Sequence, residues 1–145
     1  MIDTPSLPCS ADKLIPHRDG MLLIEELIER PNDKTGAIAS ARLDGQTLIQ
    51  GSNKKLTPEF FVEIIAQTAA AANGFDGIQA KEQPKNGFVV GLDDFIFSDK
   101  TPENPLLRAE IIKIFAFGNT TIFDGKLFSD SLLLASGKIQ VWEED

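Results

Sequence analysis

The sequence predicts an α+β domain in which one mid-chain helix packs against an antiparallel sheet. A long apolar segment, residues 57–72, carries helix signals at both ends, and the chain beyond residue 87 divides into four segments of strand character. Turn residues suited to hairpins separate the last of these segments. Because 145 residues are enough for one hydrophobic core and too few for two, we expect a single domain over residues 1–145.

The segments before the helix are less clear. Residues 21–30, MLLIEELIER, favour a helix by propensity but have the length of a strand, and the pattern leaves both open. Residues 35–43 alternate in the manner of a strand, although many of their side chains are small. Residues 45–55 are polar and contain glycine, so we expect a surface loop there.

The helix and the later strands have clearer signals. Thr57 followed by Pro58 is typical of a helix start, and the glycine signal at Asn73-Gly74 predicts an end after Ala72. We expect strands over residues 87–97, 106–117, 119–128 and 132–142, with turns at residues 118–119 and 129–131. The open edge of such a sheet favours edge-to-edge dimerisation.

Composition excludes several classes of function. The chain has 14 Lys and Arg against 22 Asp and Glu, a net charge of −8, so a nucleic-acid partner is not expected. No apolar run approaches the ~20 residues that span a bilayer, and the first residues do not resemble a signal peptide. Cys9 and His17 are the sole cysteine and histidine, which leaves too few ligands for a zinc site. We expect a cytoplasmic, metal-free protein in a reducing compartment that does not bind membranes.

Glu63 is the most informative residue. It is the sole charged side chain between Phe60 and Asn73, within a helix too apolar for a surface helix. One stripe of the helix, at spacings of three and four, holds Glu63, Gln67, Ala70, Ala71 and Gly74. A carboxylate and an amide therefore share a face with small residues that allow close backbone approach. A carboxyl group in apolar surroundings is a candidate general acid. The alternative is a carboxylate at the helix edge that reaches water, Lys54 or Lys55.

His17 is the other candidate for acid–base chemistry. It is the single side chain whose ordinary titration lies near neutral pH, and it sits in a loop-forming sequence between Pro16 and Asp19-Gly20. A lone histidine is more often a surface or structural residue, so that alternative stays open. Cys9 has no basic neighbour in sequence and is not expected to be a nucleophile. Gly87 and Gly91 flank Phe88 within a strand segment, which allows a narrow ligand tunnel.

Three motifs resemble those of one known family. Residues 14–24, LIPHRDGMLLI, resemble the opening "LLPHRxPxLLVD" of FabZ-type 3-hydroxyacyl-[acyl-carrier-protein] dehydratases. Residues 63–67, EIIAQ, resemble their helix signature "E-x-x-A-Q", and residues 87–93, GFVVGLD, resemble their strand "F-x-x-G-I-D". The order and approximate spacing also agree over nearly the whole chain. The resemblance implies a hot-dog fold, an antiparallel sheet wrapped around one long central helix, with residues 21–30 as a strand.

The resemblance also implies an active site in a tunnel at a dimer interface, where a histidine and the signature glutamate of different subunits dehydrate the thioester. Glu63 matches that glutamate, but the "G-H-F-P" histidine is missing, because residues 50–55 read QGSNKK. The "P-G" before the helix is replaced by Thr57-Pro58-Glu59. The chain therefore resembles the divergent ApeP-type branch seen in aryl-polyene pathways.

On that interpretation, His17 of one chain removes the α-proton and Glu63 of the other protonates the departing 3-hydroxyl group. The helix-start N–H groups of Glu59 and Phe60 stabilise the enolate oxygen. The expected substrate-binding residues are Gln67, Glu59, Phe60, Phe61, Gly87, Phe88 and Gly91. Two alternatives remain: a non-catalytic hot-dog subunit that binds acyl thioesters or completes a paralogous partner's site, and an acyl thioesterase.

The resemblance implies partners and no resident cofactor. The substrate is carried on the phosphopantetheine of acyl carrier protein or on coenzyme A. An acidic carrier would need a basic patch near Arg18, Lys54 or Lys55 on this chain of net charge −8. We expect a homodimer, a dimer of dimers or a hexamer, or else assembly with a paralogous hot-dog subunit.

Overall fold

A computed structural model describes residues 6–17, 21–43, 58–82 and 87–144. Its elements in chain order are β1 (Cys9–Ser10), a 3₁₀ turn (Ala11–Lys13), β2 (Ile24–Glu29), β3 (Gly36–Arg42), α1 (Pro58–Gln79), β4 (Gly87–Phe97), β5 (Leu106–Phe117), β6 (Thr120–Ser129) and β7 (Leu132–Glu143). The strands form one antiparallel sheet in the order β1-β2-β3-β5-β6-β7-β4. The predicted α+β architecture, one long helix against an antiparallel sheet, is confirmed.

The strand predictions agree closely with the structure. The segments at 87–97 and 106–117 are β4 and β5 to the residue, and β6 and β7 differ from expectation by one residue at their ends. Residues 21–30 contain β2, so burial of Ile24 and Leu27 in the sheet overrides their helical propensity. Gly118 and Asp130 have φ values of 58° and 51° in the two hairpin turns, a conformation that glycine and aspartate tolerate. The predicted cap at Thr57 and loop over 45–55 lie outside the described residues.

The predicted end of the helix near Asn73-Gly74 is wrong. Helix α1 continues to Gln79, because Gly74 lies within the helix where the backbone of Leu14 packs against it. A Cβ atom at position 74 would overlap the carbonyl oxygen of Leu14. Phe75, one residue further, is 3% exposed in the core and gives the last turns a buried anchor.

The helix is also fixed to the sheet at its C-terminal half. The Nε and Nη2 atoms of Arg30 donate to the two carboxylate oxygens of Asp76 at 3.1 and 2.6 Å, while Nη1 donates to Gly36 O at 2.9 Å. The two side chains are 9% and 16% exposed. Such a bidentate pair sets the position of α1 relative to β2 and β3 with little freedom.

One edge of the sheet is formed by the apolar strand β4. Among the described residues, β4 pairs with β7 alone and is the last strand in the sheet order. Several of its large apolar side chains are 38–70% exposed: Phe88, Val89, Val90, Leu92, Ile96 and Phe97. A strand edge of this kind can pair with another chain. None of the helices in the described part of the chain is long and apolar enough to cross a membrane.

Cys9 is buried at the opposite edge of the sheet, in β1. Burial raises the pKa of its thiol, and the nearby Lys13 partly opposes that effect.

We expect the native thiol of Cys9 to react with a disulfide reagent at pH 8 much more slowly than the thiol of the chain in denaturant, because the thiolate is the nucleophile. Equal rates in the two states would contradict this burial. The folded state holds the thiol proton of Cys9 more tightly than the unfolded state does. The protonated thiol therefore contributes to stability below the ordinary thiol pKa, and this contribution is lost as the pH rises through the raised pKa of the folded state.

Candidate active site

Glu63 lies in the second turn of α1, on the side of the helix that faces the N-terminal segment. Its side chain is 38% exposed, so it borders open space rather than lying within the core. The neighbouring helix residues Ile64 and Ile65 are fully buried and fix the rotation of α1 against the sheet. The carboxylate therefore has a defined direction, at the boundary between the core and solvent.

His17 lies beside this carboxylate in the same chain. Its Nε2 atom is 3.7 Å from Oε1 of Glu63, and its side chain is 31% exposed. From the sequence we expect the two groups to come from different chains, whereas this contact lies within one chain. The reason is local: Leu14 and Ile15 are buried and hold the segment before His17 against α1. At 3.7 Å the two groups are too far apart for a direct hydrogen bond and close enough to act on neighbouring atoms of one bound molecule.

Gln67 connects Glu63 to the strand that follows His17. Its Oε1 atom accepts from the N–H groups of Leu23 and Ile24 at 2.9 and 3.4 Å. Its Nε2 atom donates to Met21 O at 2.7 Å and to Glu63 Oε1 at 3.1 Å. Gln67 is 1% exposed. Gln67 was predicted to bind substrate, and in the structure its amide forms hydrogen bonds with groups of the same chain.

The segment that carries His17 is held to α1 at two points. Before His17, the carbonyl of Leu14 lies against the helix at Gly74. After His17, Met21, Leu23 and Ile24 are bound to Gln67. The predicted stripe of Glu63, Gln67 and Gly74, and the close backbone approach it allows, are confirmed. This stripe on one helix positions both candidate acid–base groups.

An open cleft of about 390 Å³ lies one turn before Glu63, between the start of α1 and the edge strand β4. Its lining residues are Pro58, Glu59, Val62, Leu92, Asp93, Asp94, Phe95 and Phe97. Glu59 is one helical turn from Glu63, and neither His17 nor Glu63 lines the cleft. Because the first N–H groups of a helix have no partner within it, those of Glu59 and Phe60 can bind an oxygen atom.

The remaining predicted residues have different surroundings. Phe61 is 4% exposed and belongs to the core, and Phe60 packs against that core. Gly87 and Phe88 are exposed on β4, where Phe88 stacks on Trp142 with ring centroids 6.3 Å apart. An added Cβ at Gly91 would contact the side chain of Gln140. Of the seven predicted binding residues, Glu59 is the one that lines the cleft.

Some predicted features lie outside the described residues, and some observed ones lacked a sequence signal. Arg18, Lys54 and Lys55 are not among the described residues. Within the described ranges no three His, Cys, Asp or Glu side chains form a group that could hold a metal ion. The sequence alone does not predict that Phe95 and Phe97 line the cleft, because strand alternation does not show how far the helix covers the sheet. The one sequence feature that pointed to a ligand near this strand was the pair of glycines, Gly87 and Gly91.

Comparisons with solved structures place this architecture in a known class. The chain is similar to a chain of the dehydratase heterocomplex ApeI:P from Xenorhabdus doucetiae, with a TM-score of 0.79, 18% identity, and 97% and 93% of the two chains covered. It is also similar to the HP0420-homologue from Helicobacter felis (TM-score 0.64, 10% identity, 91% and 97% covered). A hypothetical thioesterase from Streptococcus pneumoniae is similar with a TM-score of 0.63 and 6% identity, and 82% of this chain and 84% of that chain are covered. The fold is a hot-dog fold.

Comparison with family models identifies the branch. The model of the ApeP-like family, described as ApeP dehydratase, matches residues 9–145, and this chain belongs to that family of dehydratases. The predicted resemblance to a divergent dehydratase branch is confirmed. No curated protein sequence is significantly similar to the chain.

Proposed function

We propose that the protein removes water from a 3-hydroxyacyl thioester and releases the 2-enoyl thioester, in fatty-acid or polyene-type biosynthesis. The observation that carries this proposal is the pairing of His17 and Glu63, with 3.7 Å between Nε2 and Oε1, in a chain of a dehydratase family. A β-elimination needs one group to take the C2 proton and another to protonate the C3 hydroxyl group. Two such groups close together can act on adjacent carbon atoms.

In the proposed reaction, neutral His17 takes the C2 proton and the electron pair moves into the thioester carbonyl. The oxygen of the resulting enolate is stabilised by the N–H groups of Glu59 and Phe60 at the start of α1. The enolate then collapses to the C2–C3 double bond, the C3–O bond breaks, and protonated Glu63 delivers its proton to the leaving oxygen as water forms. Transfer of a proton from His17 back to Glu63 restores both groups.

The lining of the cleft supports an apolar acyl group. Val62, Leu92, Phe95 and Phe97 supply an apolar surface next to the start of α1. Carboxylates at Glu59, Asp93 and Asp94 surround it, which disfavours an acyl chain that ends in a second carboxylate. The thioester would be carried on the phosphopantetheine of acyl carrier protein or on coenzyme A, with no other cofactor. For an acidic carrier, Arg18, Lys54 and Lys55 are the proposed docking residues.

The apolar edge of β4 supports assembly with a second hot-dog subunit. Pairing at that edge would cover exposed side chains such as Val90 and Leu92. The partner would be a second copy, giving a dimer or a multiple of dimers, or a paralogous subunit. The similar Xenorhabdus doucetiae structure is a dehydratase heterocomplex, which supports the paralogous arrangement. The single buried cysteine supports a cytoplasmic location.

Turnover of 3-hydroxyacyl thioesters tests the proposal. The purified chain is incubated with matched 3-hydroxyacyl substrates on acyl carrier protein and on coenzyme A, and the enoyl thioester is followed by absorbance and mass spectrometry. We expect enoyl product with the thioester bond intact. Release of free carrier thiol and hydroxy acid would instead indicate a thioesterase. Binding without turnover, in the chain alone and together with a paralogous hot-dog subunit, would indicate a non-catalytic subunit.

A further inference from the structure

We propose that the outer face of the sheet, the side turned away from α1, packs against the same face of a second copy of this chain. The inference goes beyond the proposed reaction and concerns a surface other than the pairing edge of β4. It rests on an apolar area at one end of this face, the outer patch, which consists of Phe88, Ile112, Phe115, Phe117 and Trp142.

Strand register places the outer patch on the side opposite the helix. In an antiparallel sheet, residues paired across strands share a face, and successive residues of one strand alternate between the two faces. Ile111 is buried in the core, so its neighbour Ile112 points to the other side. Phe123 packs against the same core, so Ile122 and its partner Phe115 also point outwards.

The other three members of the patch lie in the next row of the sheet. Thr120 is two residues from Ile122 and therefore shares its face. Its partners on the neighbouring strands are Phe117 and Trp142. Trp142 pairs in turn with Phe88, and the two rings stack with their centroids 6.3 Å apart. This row therefore presents aromatic rings from β5, β7 and β4 at one end of the sheet.

The outer patch is large for an apolar surface open to water. Phe117 is 76% exposed, and the other members range from 37% for Trp142 to 61% for Ile112. At roughly 200 Å² for each large side chain, the patch leaves about 500–600 Å² open, the upper range for the largest apolar patch of a monomer. A stable interface buries about 800 Å² on each partner. The patch and a polar rim around it are therefore of the size that a second protein surface covers.

The charges beside the patch favour a second copy as the occupant. By the same alternation, strands β5–β7 place three cations and two anions on this face: Arg108, Lys126, Lys138, Glu110 and Asp124. Asp94 also lies 3.3 Å from the Nζ atom of Lys138. The face is thus nearly neutral although the chain carries −8, so two such faces can approach without strong repulsion.

Two-fold symmetry requires a surface that is complementary to itself. The outer face meets this requirement, because apolar patch can meet apolar patch while the mixed charges next to it form a polar rim. An acidic carrier or an anionic membrane would instead need an excess of cations, which the described residues of this face do not supply.

Molecular mass in solution tests the inference with the purified chain. Phe117→Asp places a carboxylate where the two patches would meet. Ser136→Asp is the matched control, because Ser136 pairs with Lys126 on the same face and lies away from the patch. The mass of the wild type and of both variants is measured by light scattering after size exclusion, and circular dichroism reports whether each is folded.

Trp142 provides a second measurement, because it belongs to the patch and is the sole tryptophan of the chain. Quenching of its fluorescence by acrylamide, a neutral quencher, reports how far the indole ring is open to solvent. The ring should be protected in the wild-type assembly. This measurement on the wild type does not depend on whether any variant folds.

We expect Phe117→Asp to have half the molecular mass of the wild type and stronger quenching of Trp142, whereas Ser136→Asp should match the wild type in both. A folded Phe117→Asp protein with the wild-type mass would overturn the inference. A monomeric wild type, or a wild-type Trp142 that is quenched as strongly as in denaturant, would also contradict it. Protection of Trp142 solely after addition of a paralogous subunit or of neutral lipid vesicles would assign the patch to that occupant instead.

Discussion

Replacing Glu63 by glutamine should lower kcat for dehydration of a 3-hydroxyacyl thioester by about 10²- to 10⁴-fold, the usual contribution of a general acid. Glutamine has nearly the same shape, and its oxygen can still accept from Nε2 of Gln67, so the fold and KM should change little. What is lost is the proton that the leaving hydroxyl group needs. The measurement is steady-state formation of enoyl thioester by the wild type and the variant at equal concentrations.

Glu26→Gln is the matched control for this substitution. Glu26 is an exposed carboxylate on β2, opposite Ser40 of β3 in the sheet register, and its replacement removes the same charge. Its kcat should remain at the wild-type value. An equal loss in both variants would show that net charge, rather than a proton held at position 63, determines the rate. Retained activity in Glu63→Gln would assign the acid to another residue.

Replacing Gly74 by alanine should reduce the free energy of unfolding by about 1–3 kcal/mol, the typical cost of overpacking a tight contact. An added Cβ would overlap the carbonyl oxygen of Leu14, so the N-terminal segment must move away from α1. Because that segment leads to His17, activity should also fall. Chemical denaturation, with kcat measured under native conditions, tests both effects.

Gly77→Ala provides a control with the opposite sign. Gly77 is in the same helix, and an added Cβ there would meet only Glu82 O, at 3.9 Å. Since alanine favours a helix over glycine by about 1 kcal/mol, this variant should be as stable as the wild type or more so. Stabilisation by Gly74→Ala as well would contradict the close packing of Leu14 on the helix.

Much of the fold could be predicted from sequence because most of its elements have local signals. Strands β4 and β5 follow from apolar runs bounded by turns, and Pro58 marks the first residue of α1. The end of α1 could not be predicted in this way. Gly74 has the appearance of a terminator, yet its role is to admit the backbone of Leu14, a contact between residues 60 positions apart. Strand β1, with two residues, is too short for a periodic signal.

The candidate site was only partly predictable. Glu63 and His17 were found because each is an unusual residue for its local sequence, and the structure brings them together. Their placement within one chain, and the use of the Gln67 amide by Met21, Leu23 and Ile24, depend on how β2 docks against α1. No local pattern contains that information. The cleft depends likewise on how much of β4 the start of the helix leaves uncovered.

Complementation between subunits tests most directly the central claim, that His17 and Glu63 of one chain form the acid–base pair. Differently tagged His17→Ala and Glu63→Gln chains are co-expressed, the mixed assembly is purified by both tags, and its dehydration rate is compared with each single variant. A pair within one chain predicts no recovery, because every site lacks one of the two groups. If the pair formed across chains, one site of each mixed dimer would regain both groups, and recovery of a substantial part of wild-type activity would contradict the claim.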